Sequence, residues 1–181
     1  MDAGVSNARY SQGWVTKGKD ADKRFKEYGV APKGKADYAF LLHNLYHIKN
    51  DGIVTTVLPH GVLFRGGEDE QIRTNLIEKN NIDAIIGLPA NIFFGTGIAT
   101  IVMVLRKDRK NDDGVLIVDA SKGFAKEGKR NKLRASDIRR IADTVIHRRE
   151  IPKYSRLVSR QLIRDNGYNL NIPRYLDSSD P

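Results

Sequence analysis

Ile82 to Lys107, IDAIIGLPANIFFGTGIATIVMVLRK, decides the fold. It holds two short apolar runs, Ile82 to Leu88 and Ala99 to Leu105, each rich in Ile and Val and bounded by turn residues. Runs of that kind form strands buried on both faces. Between them Pro89 to Ile98 is too long for a two-residue hairpin and too apolar for a plain surface loop, and it carries the adjacent rings Phe93 and Phe94. The pair is the expected heart of a sheet.

Upstream, the spacing of Tyr38, Leu41, Leu42, Leu45 and Ile48 predicts an amphipathic helix opened by Asp37 and closed at Asp51-Gly52. The β-branched Ile53 to Leu58 predicts a strand, stopped by Pro59-His60-Gly61. Glu68-Asp69-Glu70 then suits a helix N-terminus, with Ile72, Leu76 and Ile77 as the buried stripe to about Asn80. Strand, helix and strand with short joints make a βαβ unit, so Ile53 to Leu58 and Ile82 to Leu88 are expected as parallel neighbours. Ala99 to Leu105 is most simply antiparallel to Ile82 to Leu88. The expected fold class is α/β, a parallel sheet with an antiparallel strand joined late, followed by C-terminal helices.

Downstream, Val115 to Val118 reads as a strand and Lys122 to Arg134 as a solvated basic loop. Ser136 reads as the N-cap of a helix through about Arg149. Ser155 to Asn166 reads as a further helix ended by Gly167 as a C-cap glycine, and Tyr168 to Pro173 as an extended segment. Before all this, residues 1–36 are loop-rich, with Tyr10, Trp14, Phe25 and Tyr28 scattered through them and Met1 to Val5 resembling a strand end. The expected division is 1–36, 37–121 and 122–181.

Composition limits the chemistry. The 181 residues contain no cysteine, which excludes disulfides, thiolate zinc sites and a Cys nucleophile and fits a cytoplasmic location. No apolar run approaches a membrane span. Lys and Arg total 31 against 22 Asp and Glu, a net charge of +9, with the excess gathered from Arg106 onward. That raises the odds of a polyanionic partner such as nucleic acid. Gly95-Thr96-Gly97 lacks the third glycine and the following helix of a dinucleotide fingerprint. His43 and His47 lack the glutamate of a helical zinc motif, and His60 alone at a strand end is more often structural than catalytic.

Asn7-Ala8-Arg9-Tyr10, after a strand end, resembles the N-P-P-Y segment of amino-group DNA methyltransferases. Together with Leu58 to Gly67 (LPHGVLFRGG), Ile85 to Thr100, Val118 to Ser121 and Asn166 to Tyr175, the chain resembles the modification subunit of type I restriction-modification systems over nearly its whole length. The resemblance implies a partial, Rossmann-like S-adenosylmethionine-dependent methyltransferase sheet and methyl transfer to adenine N6 in DNA. It implies that Asn7 accepts hydrogen bonds from the target amino group and that Tyr10 stacks on a base flipped out of the duplex. Ala8 and Arg9 stand where the family has two prolines that stiffen the turn. The family's glycine-rich cofactor motif lies upstream of this segment, so the chain is expected to be a C-terminal portion, inactive alone and without its own cofactor site. The partners implied are DNA, a specificity subunit, which sets the target sequence, and a restriction subunit. Phe93 and Phe94 are candidate contacts to the flipped base or plugs of the core, and Lys126, Lys129, Arg130 and Lys132 candidate phosphate contacts or a solvated face. The alternative function is a non-catalytic α/β module that binds DNA or the specificity subunit through its basic C-terminal third.

Overall fold

The strand Ile82–Gly87 (β3) is buried at every residue, as its unbroken apolar run predicts, and the other elements are laid around it. The structure, a computed structural model, describes residues 3–7, 37–93 and 97–177. In chain order come β1 (Ala3–Asn7), α1 (Asp37–His47), β2 (Ile53–Pro59), a 3-10 turn at His60–Leu63, α2 (Glu68–Glu78) and β3. There follow β4 (Thr100–Arg106), β5 (Val115–Asp119), β6 (Ala125–Glu127), β7 (Arg130–Lys132), α3 (Ala135–Ile146), β8 (Ser155–Val158), α4 (Arg160–Asp165) and a 3-10 turn at Ile172–Arg174.

Six strands form one sheet in the order β1-β2-β4-β3-β5-β8. β1, β2, β3 and β5 run one way, and β4 and β8 run against them. β2 and β3 are thus parallel in direction but are not neighbours, because β4 lies between them and pairs with both. The correction has a simple cause: a strand returning antiparallel to β3 through the Pro89–Ile98 loop takes the place beside β3 that a plain βαβ unit would give to β2. The expected antiparallel pairing of the two apolar runs is present, with Ile85 opposite Met103 and Gly87 opposite Ile101.

Helices cover both faces. Leu41, Leu42 and Leu45 of α1, Ile72 and Leu76 of α2 and Ile163 of α4 join Val54, Leu58, Ile85, Ile101 and Met103 in one apolar cluster. α3 covers part of the other face, where Ile141 and Val145 pack towards Ala84, Ile86, Val104 and Val118. The register of β3 shifts between Ile82 and Ala84, which lets Ile82 and Ile85 face the same cluster.

Four further expectations are corrected. Residues from Lys122 to Arg134 are not simply a loop: β6 and β7 form a hairpin in which Glu127 pairs with Arg130 across Gly128-Lys129, and Gly128 takes φ +62° as a tight turn requires. The helix α3 begins at Ala135 rather than after Ser136, because the Asp137 carboxylate accepts the Arg134 backbone N–H at 2.9 Å and fixes Arg134 as the cap. Ser155 to Val158 is a strand, not the start of a helix. It pairs with β5 and buries Ser155 and Val158, so the open edge of β5 overrides local propensity. Only Arg160–Asp165 is helical there, capped by Ser159 Oγ, which accepts the Leu162 N–H at 3.2 Å. Tyr168 to Pro173 does not run extended: Tyr168 has φ +60°, and Ile172 opens a 3-10 turn. Gly167 takes φ +63° after Asn166, in the role expected of it.

Two glycines are fixed by close approach. A Cβ on Gly87 would lie 2.7 Å from the Ile172 Cδ1 methyl, so the C-terminal segment packs directly on the end of β3. Gly114 has φ +99°, and a Cβ there would lie 2.1 Å from the Val158 carbonyl oxygen where β5 begins beside β8.

Candidate functional site

Because β1, β2, β3 and β5 share a direction, their C-terminal ends Asn7, Pro59, Gly87 and Asp119 lie along one rim of the sheet. In α/β sheets that rim is where ligand-binding groups gather. Asn7 closes β1 opposite Val57 of β2. Tyr10, the other candidate of the N-P-P-Y-like segment, lies outside the described residues, and so does Phe94.

Backbone hydrogen bonds lace the rim. The His60 N–H donates to the Ala99 carbonyl at 3.2 Å, the Leu88 N–H to the Thr100 carbonyl at 3.0 Å and the Ala120 N–H to the Gly87 carbonyl at 2.9 Å. His60 meets Phe64 edge to face at 5.3 Å between ring centres, and burial pushes the imidazole pKa below its ordinary value. Phe64 is 44% exposed. The hydroxyl of Thr100, buried at the start of β4, has no hydrogen-bond partner among the described residues.

The loop after β3 reaches this rim with Asn91 at φ +57°. Phe93 is half-buried: with Ile92 it packs on the apolar cluster formed by Ile86, Leu88, Val104 and Val118. It serves the core in part and keeps part of its surface outside.

The hairpin β6–β7 docks on the same loop. Asn131 Nδ2 donates to the Ala90 carbonyl at 2.7 Å, and the Asn131 N–H donates to the Asn91 carbonyl at 3.0 Å. Lys126, Lys129, Arg130 and Lys132 are all exposed on this hairpin, with Lys132 Nζ 3.9 Å from the Glu127 carboxylate. Asn7, Phe93 and the basic hairpin therefore belong to one end of the molecule. His43 and His47 lie elsewhere, on the exposed side of α1 with rings 4.5 Å apart, and no cluster of metal-ligating residues occurs among the described residues.

The floor beneath the rim is tied by Arg73, which is buried at 2% exposure. Its Nη1 donates to the carbonyls of Val62 and Arg65, each at 3.0 Å, and its Nε to that of Tyr168 at 2.7 Å. One guanidinium thus joins α2, the turn after β2 and the C-terminal segment. Neither Arg73 nor Asn131 stands out in the sequence, since their partners are backbone carbonyls that any residue supplies.

At the opposite end of the sheet, Asp83 and Asp113 hold Arg109 and Arg148. Asp83 Oδ1 is 2.9 Å from Arg109 Nε and 3.1 Å from Arg148 Nη1, and Asp113 is 2.6 Å from Arg109 Nη2. These groups fasten the end of α3 to the start of β3 and β5, with the arginines also donating to the Ile82 and Gly114 carbonyls.

The profile of the N-6 DNA methylase family matches residues 1–181. The chain belongs to that family. It is 38% identical over 178 residues to the type I restriction enzyme MpnII methylase subunit of Mycoplasma pneumoniae, covering 96% of this chain and 33% of that protein. It is similar also to the type I restriction-modification methyltransferase subunit of Streptococcus thermophilus, with 48% identity and a TM-score of 0.94 over 98% of this chain and 38% of that one. The EcoKI modification protein, at 20% identity and a TM-score of 0.75, shares the fold. This N-6 DNA methylase chain is of the modification-subunit type and spans about a third of the length of the Mycoplasma relative. Its sheet is a partial S-adenosylmethionine-dependent methyltransferase fold.

Proposed function

We propose that this chain carries the target-base side of a type I restriction-modification DNA methyltransferase that methylates adenine at N6. The observation that supports it most is the convergence of Asn7, the Phe93 loop and the cationic hairpin at one rim of a sheet whose family methylates DNA. An adenine cannot be methylated within the stack, so it must leave the duplex and be held by its edge and its face. At this rim Asn7 supplies an amide oxygen to accept from the exocyclic amino group. Such an acceptor keeps the nitrogen lone pair available to an electrophile. Aromatic surface at Tyr10, Phe93 and Phe94 serves the face of the base, and Lys126, Lys129, Arg130 and Lys132 serve the phosphates. A specificity subunit and a restriction subunit complete the assembly.

S-adenosylmethionine supplies the methyl group in this family. Among the described residues nothing fits it. The one passage there from strand through glycines to helix, β2 to α2, exposes Glu68 and Glu70 in the first helical turn, and these carboxylates repel the cofactor's own. On this reading the 181-residue chain alone binds DNA without binding the cofactor or methylating. Isothermal titration tests this directly. We expect binding of duplex DNA that weakens steeply with salt and no heat from S-adenosylmethionine; micromolar cofactor binding by the chain alone contradicts the reading.

A second reading, a non-catalytic module that binds DNA or the specificity subunit through the basic C-terminal third, draws on Ala8 and Arg9 in place of the family's prolines. It predicts that supplying the cofactor-binding segment restores no methylation.

A further inference from the structure

Asn131 ties the hairpin β6–β7 to the loop after β3 through two bonds that both reach backbone carbonyls. Asn131 Nδ2 holds the Ala90 carbonyl at 2.7 Å and the Asn131 N–H holds the Asn91 carbonyl at 3.0 Å. Its neighbours Arg130 and Lys132 are exposed while Asn131 is half-buried, as alternation along a strand requires. Lys126 lies directly opposite Asn131 in the ladder and so shares its face, the one turned to the loop. Lys126 and Lys129 make no ion pair among the described residues, whereas Lys132 is engaged with Glu127. The other side of the loop is anchored by Ile92 and Phe93 on the apolar cluster. Between those anchors Asn91 holds φ +57°, a conformation that costs a non-glycine residue strain unless its surroundings impose it.

We propose that Asn131 is a positioning residue, which couples the seating of a DNA strand on Lys126 and Lys129 to the placement of the Pro89–Phe93 loop against an unstacked adenine. Phosphates held by the hairpin and a base held by the loop then come from one strand in a fixed register. A loop detached from the hairpin still adjoins the DNA, but nothing fixes its distance from the strand that the lysines hold. The proposal rests on the DNA-binding reading above.

The test uses fluorescence anisotropy of the full 181-residue chain with two duplexes, identical except that one carries a single unpaired adenine. The wild type is expected to prefer the unpaired adenine by about tenfold, the contribution of one stacked base. Asn131→Ala keeps the backbone bond to Asn91 but loses the amide bond to Ala90, so it weakens that preference severalfold and leaves the slope of log affinity against log salt unchanged. Lys126→Ala with Lys129→Ala flattens the slope by about 0.9 for each phosphate no longer neutralised and, because the strand is no longer seated, lowers the preference as well. Asn131→Gln, which keeps an amide donor, retains more of the preference than Asn131→Ala. Should Asn131→Ala melt early, Asn131→Asp, isosteric but without the donor, is read by the same ratio, since comparing two duplexes at one salt concentration cancels its added charge. A preference untouched by loss of the donor overturns the coupling, as does loss of preference and slope together in Asn131→Ala. Absence of DNA binding by the wild type overturns the DNA-binding reading itself and this inference with it.

Discussion

Arg73 shows how one side chain holds the floor of the site. A buried guanidinium that bonds the carbonyls of Val62, Arg65 and Tyr168 satisfies acceptors on the turn after β2 and on the C-terminal segment at once. Arg73→Met fills much of the same space and makes none of those bonds. Leaving buried acceptors unpaired costs about 1–3 kcal/mol for each group, reduced where the carbonyls reach water. We expect Arg73→Met to lower the free energy of unfolding in urea by about 3 kcal/mol, and a loss below about 0.5 kcal/mol is contrary to this role. At this scale legibility depends on whether a residue's task is written in its type. Asn7 is singled out because an Asn followed by two residues and then a Tyr, after a strand end, stands in a chain that resembles the modification subunit over nearly its whole length. Asn131 cannot, because its partner at Ala90 is 41 residues away and is a carbonyl, which has no sequence signature.

Elements whose pattern matches their environment are legible, and those decided by a neighbouring edge are not. α1, β2, α2, β3, β4 and β5 each follow the periodicity of their apolar residues. β8 does not, since Ser155-Arg156-Leu157-Val158 takes its conformation from pairing with β5. The hairpin β6–β7 is hidden by its charge, although Gly128-Lys129 between short runs is a turn signal. The docking of α4 on α2 is set by Glu78, whose carboxylate accepts from Arg164 Nε and Nη2 at 2.6 Å each and from the Tyr168 hydroxyl at 2.6 Å. The Arg164 side-chain hydrogen bonds, then that of Tyr168, draw the Glu78 carboxyl from its ordinary 4.5 down to about 2. The contribution of this cluster is therefore fully present above about pH 4.5 and is lost as the pH falls towards 2. Solvent reaches the pair, so the effect is modest. Glu78→Gln is expected to flatten the dependence of the thermal midpoint on pH between these limits while leaving the salt dependence of DNA binding unchanged. An acid limb as steep as that of the wild type is contrary to the assignment.

For the whole molecule, strand direction organises the chemistry. Four strands running one way bring residues from the beginning, middle and late part of the chain to a single rim, and the charged cluster of Asp83, Asp113, Arg109 and Arg148 closes the other end. Pairing order is the feature that local patterns do not supply. The interposition of β4 between β2 and β3 depends on a return through the Pro89–Ile98 loop, whose Ile92 and Phe93 pack in part on the core and whose Asn91 meets the hairpin.

The central claim is that Asn7, at the end of β1, receives the amino group of an adenine that this rim holds outside the duplex. The most direct measurement combines the chain with the remainder of the Streptococcus thermophilus relative, of which this chain covers 38%, a specificity subunit, S-adenosylmethionine and target DNA, and quantifies N6-methyladenine in the digested DNA by mass spectrometry. The account predicts N6-methyladenine with the wild-type chain. It predicts a loss of about a hundredfold or more with Asn7→Ala, at unchanged DNA affinity, as expected when one positioned polar group at a reacting centre is removed. No N6-methyladenine with the wild type, or an undiminished yield with Asn7→Ala, would contradict it.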